Sequence, residues 1–149
     1  MARNPPEGVP QIYPRLTYAS PAEAVEWLAR AFGLEDCVDA RLEAPDGRLI
    51  VTEMALGSGR IMIGQAGSHG LESPAKLGAA TQMVMVYVDD VDGHCERARS
   101  AGAEIVNPLA DQPWGDRRYE VLDLEGHRWH FAEHRRDVPP EEWKRAIFG

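Results

Sequence analysis

Two side chains within predicted strands could exchange protons with a substrate. His130 stands between two aromatic residues, and Glu53 lies within an apolar segment. Since side chains alternate across a strand, His130 points away from the core if Trp129 and Phe131 pack into it. An imidazole titrates near neutral pH, and a carboxylate beside it would complete a general acid–base pair. A hydrogen-bonded structural histidine and a solvent-facing glutamate are the alternatives that the sequence leaves open.

One loop combines an aromatic ring with two guanidinium groups. Trp114 is followed by Gly115, and Arg117 and Arg118 come shortly afterwards. An indole can stack on a planar group, and a guanidinium can hold an anion in a fork geometry. We therefore expect Trp114 to form a wall of a binding site, with Arg117 near the polar end of the ligand. A loop that packs on its own domain is the alternative.

Methionine and tyrosine recur at alternating positions of the predicted strands. Such side chains adapt to the shape of a ligand and offer apolar and aromatic surface. His130 and Glu53 are the candidates for catalysis. The predicted ligand-binding residues are Tyr13, Arg15, Met62, Met83, Met85, Tyr87, Trp114, Arg117 and His130.

Charge and cysteine content narrow the range of partners. The chain has 149 residues and a formal net charge of −8, which argues against binding to nucleic acid or to an anionic membrane. Cys37 and Cys95 show no ligand spacing, so we expect reduced, buried thiols. The sequence contains no signal pattern and no apolar run of membrane-spanning length. These features predict a soluble, cytoplasmic protein that binds neither nucleic acid nor a membrane.

The order of predicted elements is duplicated along the chain. A strand, a helix and three further strands are predicted at about residues 12–65 and again at about 82–134, with a linker at about 66–80. A last helix is predicted at about residues 139–148. The predicted fold class is α+β, in a single domain over residues 1–149.

Local signals mark where several elements begin and end. Ser20, followed by Pro21 and Glu23, predicts the start of the first helix with Ser20 as its N-cap. Asp90 is predicted to cap the second helix in the same way. Residues 37–43 are predicted as one strand, and the Gly-, Ser- and Ala-rich stretch 66–80 is predicted to contain no regular element.

Several stretches of the chain resemble the vicinal oxygen chelate superfamily, which includes glyoxalases, bleomycin-resistance proteins and extradiol dioxygenases. The resemblance is carried by SPAEAVEWL at 20–28, AFG at 31–33, VDDVD at 88–92, QPWGDRR at 112–118 and DLEGHRW at 123–129. The chain looks most similar to uncharacterised bacterial glyoxalase-like proteins. The resemblance implies two βαβββ modules that form a curled mixed sheet around a central cleft, often completed in a dimer.

The resemblance also implies where a metal site would lie. Metal-dependent members take ligands from the first and last strand of each module, and these positions correspond here to Tyr13, Met62, Met83 and His130. One imidazole with a phenol and two thioethers binds hard or borderline divalent ions poorly, although two thioethers and an imidazole could suit Cu(I). We therefore expect neither a divalent metal nor another cofactor.

Two functions from different classes remain open. The first is a protein that binds a small, possibly aromatic molecule in the cleft between the modules without a divalent metal, as the drug-resistance members do. The second is a metal-dependent lyase, isomerase or dioxygenase of the same superfamily that uses His130 and Glu53. In either case an apolar stripe at Trp143 and Ile147, together with open sheet edges, predicts a homodimer.

Overall fold

The computed structural model describes residues 1–149 and confirms the α+β class. Two sheets are present, with four α-helices and no closed barrel. Contacts divide the chain into two units: unit one is Met1–Ala79 with Leu124–Gly126, and unit two is Ala80–Asp123 with His127–Gly149. None of the helices is long and apolar enough to cross a membrane.

Unit one begins with a strand and a helix and continues with short and long strands. Its sheet has the order β1-β5-β4-β2, with β3 paired to β4, and β1 runs parallel to β5. The elements are β1 (Arg15–Tyr18), α1 (Pro21–Phe32), β2 (Glu35–Asp36), a 3-10 turn (Val38–Ala40), β3 (Leu42–Glu43), β4 (Leu49–Leu56), β5 (Gly59–Gln65) and α2 (Pro74–Leu77).

Alternation along the strands gives the sheet of unit one two different faces. Leu16, Tyr18 and Ile63 are buried, and the amphipathic helix α1 covers this side, because its apolar residues recur at helical spacing. Burying one large aliphatic side chain stabilises the fold by about 1.5–3 kcal/mol. The other face carries polar and partly exposed residues. The residues that α1 buries are Pro21, Ala24, Val25, Leu28, Ala31 and Phe32.

Unit two repeats the pattern with one helix and four strands in its sheet. The strand order is β6-β9-β8-β7, with β6 parallel to β9 and the other pairs antiparallel. A fourth helix follows the sheet. The elements are β6 (Met83–Tyr87), α3 (Val91–Ser100), β7 (Glu104–Asp111), β8 (Asp116–Leu122), β9 (Arg128–His134) and α4 (Pro140–Phe148).

The core of unit two lies between α3 and one face of its sheet. Trp129 and Phe131 are fully buried, and their rings stack with a centroid distance of 5.8 Å. The ring of His94, on α3, lies 4.1 Å from that of Phe131, so this helix covers the aromatic face. Trp129 donates from Nε1 to Asp123 at 3.1 Å, which satisfies the one polar atom of its ring. The side chains that alternate with these aromatic residues therefore lie on the opposite face.

Of the two predicted helix N-caps, the one on α3 is confirmed and the one on α1 is not. Asp90 caps α3 by accepting from Gly93 N at 3.0 Å, as predicted. Ser20 makes no side-chain cap bond at the start of α1. Glu125 instead binds the backbone just before the helix: its carboxylate accepts from Ala19 N at 2.7 Å and from Ser20 N at 3.1 Å. A carboxylate at a helix N-terminus also interacts favourably with the helix dipole.

Two stretches differ from their predicted structure. The predicted strand at 37–43 is wrong in part. A 3-10 turn occupies Val38–Ala40, and only Leu42–Glu43 (β3) pairs with β4. The predicted linker at 66–80 contains the short helix α2, which Ser73 caps by accepting from Ala75 N. Both thiols are free as predicted, but only Cys95 is buried, and Cys37 is half-buried.

Candidate functional site

The sheet of unit two has a face that α3 does not cover, here called the open face. Strand register places Met85 beside His130 and His130 beside Glu120 on this face. The same register places Tyr87 beside Ala132, and Ala132 beside Arg118. The open face is defined by Met83, Met85, Tyr87, Asn107, Ala110, Asp116, Arg118, Glu120, Leu122, Arg128, His130 and Ala132.

Three alternate positions on β6 carry large apolar side chains that are open to solvent. Met83, Met85 and Tyr87 retain 50%, 38% and 59% of their accessible surface. Their strand neighbours Val84 and Val86 point toward α3 and are less exposed, as alternation requires. A contiguous apolar strip of this kind on a sheet face is a typical binding surface.

A pocket of about 360 Å³ adjoins the strip at β7, β8 and β9. Its volume is within the range of small-molecule sites. Its lining mixes cationic, anionic and uncharged polar groups with small apolar ones. The lining residues are Asn107, Pro108, Ala110, Gln112, Arg118, Tyr119, Glu120 and His130.

His130 and Glu120 form the ionisable pair of this pocket. His130 Nε2 lies 3.4 Å from Glu120 Oε2, and His130 Nδ1 is buried without a hydrogen-bond partner. Burial lowers the pKa of His130, although Glu120 opposes the shift, so the environment of the imidazole favours its neutral form. Burial raises the pKa of Glu120, but hydrogen bonds from Arg128 and Asn107 outweigh it, and the net shift is downward.

A buried carboxylate organises the other end of the open face. Asp116, which is 3% exposed, accepts at Oδ2 from the Tyr87 hydroxyl at 2.9 Å and from Trp114 Nε1 at 3.1 Å. His134 Nδ1 lies 2.7 Å from its other oxygen. Asp116 therefore holds one ring from β6 and one from the loop before β8. Its hydrogen bond with Tyr87 raises the pKa of that phenol.

The two arginines after Trp114 point to opposite faces of β8. Arg117 pairs with Asp92 of α3 at 3.0 Å and with Asp111 at 3.4 Å, so its guanidinium lies on the helix side. Arg118 lies on the open face, and its guanidinium carbon is 4.8 Å from the centre of the Trp114 ring. The cation beside the tryptophan is thus Arg118. Arg117, which we expected near the polar end of a ligand, pairs with Asp92 on the helix side of the sheet.

The remaining predicted positions lie in unit one. Tyr13 and Glu53 line a cavity of about 540 Å³ there, together with Cys37 and Arg60. Glu53 Oε1 accepts from Arg60 Nη1 at 3.0 Å, so the partner of this carboxylate is an arginine of its own unit.

Arg15 and Met62 are neighbours in unit one but do not line that cavity. They are paired across β1 and β5, and Arg15 Nη2 donates to the Gln65 carbonyl at 3.1 Å. The guanidinium of Arg15 occupies the space where a side chain at Gly64 would stand. Because Gly64 has no Cβ, the arginine lies flat on the strand.

Sequence reasoning missed Glu120 and Asp116, the two carboxylates that organise the open face. Neither is marked by a motif. Their signal is the alternation of β8, which places Asp116, Arg118 and Glu120 on one face. Alternation alone does not show that Glu120 and His130 meet. The pairing of β8 with β9 shows it, because it brings Glu120 beside His130.

The four positions at which the sequence resemblance would place metal ligands do not suit a divalent ion. They carry the phenol of Tyr13, the thioethers of Met62 and Met83 and the imidazole of His130. Thioethers are soft donors, whereas these ions prefer carboxylate, imidazole or thiolate ligands. No group of three or more His, Cys, Asp or Glu side chains is arranged to hold a metal ion.

Comparison with known proteins gives a consistent set of relatives. A family model described as the Glyoxalase/Bleomycin resistance protein/Dioxygenase superfamily matches residues 12–131. An uncharacterised protein of Mycobacterium bovis is 32% identical over 144 residues, which are 93% of this chain and 92% of the relative.

Solved structures add two informative neighbours. The crystal structure of TioX from Micromonospora sp. ML1 has a TM-score of 0.68 and 39% identity, covering 84% of this chain and 99% of that one. A glyoxalase/bleomycin resistance protein/dioxygenase family enzyme from Burkholderia phytofirmans PsJN has a TM-score of 0.66. Its identity is 16%, with coverage of 82% and 96%, so it shows the fold alone.

Proposed function

The chain belongs to the Glyoxalase/Bleomycin resistance protein/Dioxygenase superfamily, and from that membership we propose that it binds a small, partly aromatic molecule. The open face of unit two supplies the binding surface, and no divalent metal takes part. A fold of this kind hosts several chemistries, so the proposal depends on the site and not on membership alone.

The exposed strip on β6 is the observation that carries the proposal. Met83, Met85 and Tyr87 lie in one row beside a pocket of about 360 Å³. Methionines adapt to irregular apolar shapes, and a tyrosine offers a flat ring whose hydroxyl is already bonded to Asp116. Covering about 100 Å² of such surface would contribute about 2.5 kcal/mol before the costs of association.

Titration with 2-naphthamide tests the apolar part of the site. The wild-type protein should bind this neutral aromatic probe, and Met85→Glu should weaken binding by about tenfold, since a charge then replaces apolar contact. Leu77→Glu is the matched control, because Leu77 is exposed and lies on α2 in unit one. Equal loss of binding in both variants would contradict the proposal.

Elemental analysis tests the proposal that the protein binds its ligand without a divalent metal. Protein purified without tags or chelators should carry much less than one equivalent of Zn, Ni, Mn or Fe, and binding of the probe should not change with EDTA. The physical reason is the soft donor set of Tyr13, Met62, Met83 and His130. A stoichiometric metal that is lost in His130→Ala would favour a metal-dependent enzyme instead.

A further inference from the structure

Arg118 is a cation without a carboxylate partner in the middle of the open face. Its guanidinium stacks on Trp114 at 4.8 Å and lines the pocket beside β8. Asp116 and Glu120 stand two residues away on either side of it, on the same face of the strand. It forms an ion pair with neither of them.

Both neighbouring carboxylates are engaged by other groups. Asp116 accepts hydrogen bonds from Tyr87 and Trp114 and also contacts His134. Glu120 accepts from Arg128 at 2.7 Å and from Asn107. Hydrogen bonds therefore partly compensate the negative charges of Asp116 and Glu120. An anion that approaches Arg118 is repelled less by them than by two free carboxylates.

Two other arginines of the same sheet, and a third just after β9, have acidic partners. Arg117 binds Asp92, Arg128 binds Glu120, and Arg135 binds Glu133 at 2.9 Å. The chain carries 24 acidic and 16 basic residues, so an unpaired guanidinium does not result from a shortage of carboxylates.

The neighbours of Arg118 leave room beside its guanidinium. Ala132 of β9 and Ala110 of β7 are its partners across the sheet, and both have only a methyl side chain. Stacking on the indole covers one face of the planar group and leaves its N–H edges available. A guanidinium held in this way can donate two parallel hydrogen bonds to one carboxylate.

We infer that the ligand of the open face is an aromatic carboxylate, whose carboxylate group binds Arg118 while its ring lies on the strip formed by Met83, Met85 and Tyr87. This inference rests on the proposed function, since it assigns the polar end of the same ligand. Trp114 acts as a positioning residue, because it orients Arg118 and does not need to touch the ligand ring.

A pair of probes that differ only in charge tests the inference. Binding of 2-naphthoate and of 2-naphthamide is measured by isothermal titration to the wild type, Arg118→Gln, Arg118→Lys and Arg117→Gln. The wild type should prefer the carboxylate by about tenfold or more, which corresponds to one charge-assisted bidentate contact. Arg118→Gln should remove this preference, and Arg118→Lys should keep part of it, since lysine retains the charge without the fork.

Arg117→Gln is the matched control, because Arg117 pairs with Asp92 on the helix side and should leave the preference unchanged. Thermal unfolding of each variant checks that the fold is intact. Equal affinity of the wild type for both probes, or a preference that persists in Arg118→Gln, overturns the inference and leaves the proposed function standing. Failure of both probes to bind the wild type overturns both.

Discussion

At the scale of single residues, hydrogen bonds to the buried carboxylate of Asp116 hold the rings of Tyr87 and Trp114 in place beside the open face. Asp116 contacts a phenol, an indole and an imidazole, all at 3.1 Å or less. Hydrogen bonds to a charged group are each worth about 1.5–3 kcal/mol, and leaving a buried carboxylate unpaired is costly. The position of Tyr87 and Trp114 is therefore coupled to the charge state of His134, the third partner.

His134 should make the stability of the protein depend on pH. Hydrogen bonds with Asp137 and with Asp116 raise the pKa of His134 above its ordinary value. Because the folded pKa is raised, the stabilisation is fully present below about pH 6.5 and is lost as the pH rises through the folded pKa. Melting temperatures of wild type and His134→Asn should differ most at pH 5.5–6 and converge toward pH 8.5.

The matched control for this prediction is His69→Asn, at an exposed position with a φ of 57° that asparagine tolerates. Its melting temperature, followed over the same pH range, gives the baseline for replacing an exposed histidine by asparagine. A difference between wild type and His134→Asn that does not change with pH would show that the imidazolium does not stabilise the fold.

At the scale of elements, the loop between β7 and β8 is closed against the chain that follows β9. Gly115 has a φ of 101°, and its carbonyl accepts from Arg135 N at 2.9 Å and from Arg136 N at 3.2 Å. A Cβ at this position would overlap the Arg136 carbonyl oxygen. Position 115 therefore requires glycine for two reasons: its φ is positive, and the backbone of Arg136 lies too close for a side chain.

Gly115→Ala should lower the free energy of unfolding by about 3 kcal/mol or more, since positive φ and backbone overlap both act. Gly102→Ala is the matched control: Gly102 has a φ of 89°, but a Cβ there meets nothing within 4 Å. The control should lose only about 1–2 kcal/mol, the conformational cost alone. Chemical denaturation measures both, and equal losses would show that the Arg136 contact does not constrain the loop.

The start of α1 depends on a residue that is far from it in sequence. Glu125 accepts from two backbone N–H groups at the helix start and from Ser73 Oγ. Glu125→Ala should therefore cost about 2–3 kcal/mol of unfolding free energy. Ser20→Ala should cost about 0.5 kcal/mol or less, because the Ser20 hydroxyl makes no cap bond. A larger loss in Ser20→Ala, measured by denaturant titration, would restore the capping role that the sequence indicates.

At the scale of the whole molecule, unpaired strand edges and exposed apolar side chains favour association. β6 and β7 are the edge strands of the second sheet. On α4, Ile147 and Phe148 retain 44% and 85% of their surface, and no residue of this helix is buried. An amphipathic helix without a partner is typical of a contact with another subunit.

We expect a homodimer at protein concentrations on the order of tens of micromolar. Light scattering coupled to size exclusion should give twice the mass of the chain, and Ile147→Glu should shift the protein toward monomer. Lys76→Glu, at an exposed position on α2, changes charge without removing apolar surface and should leave the dimer intact. A wild type that is monomeric at these concentrations would refute the prediction.

The sequence by itself predicted the order of the main helices and strands and the faces of several strands, but not the 3-10 turn or α2. The valines between Met83 and Tyr87 predict a strand with two unlike faces, and Asp90 predicts the start of α3, because both signals are local. The α+β class follows from repetition of these local signals, whereas the division into two sheets is seen only in the structure. The cleft expected between the two halves stays a prediction.

Only the tertiary structure decided which groups meet. His130 and Glu53 were the candidates for a proton-transferring pair, and the carboxylate that lies beside His130 is that of Glu120. Arg117 was expected near the polar end of a ligand, and the guanidinium that lies over the Trp114 ring is that of Arg118. Both outcomes depend on the register of β8 against its neighbours, and a shift of one residue turns every side chain to the other face. Local periodicity cannot specify that register, since it is set by long-range pairing and by burial of Trp129 and Phe131 against α3.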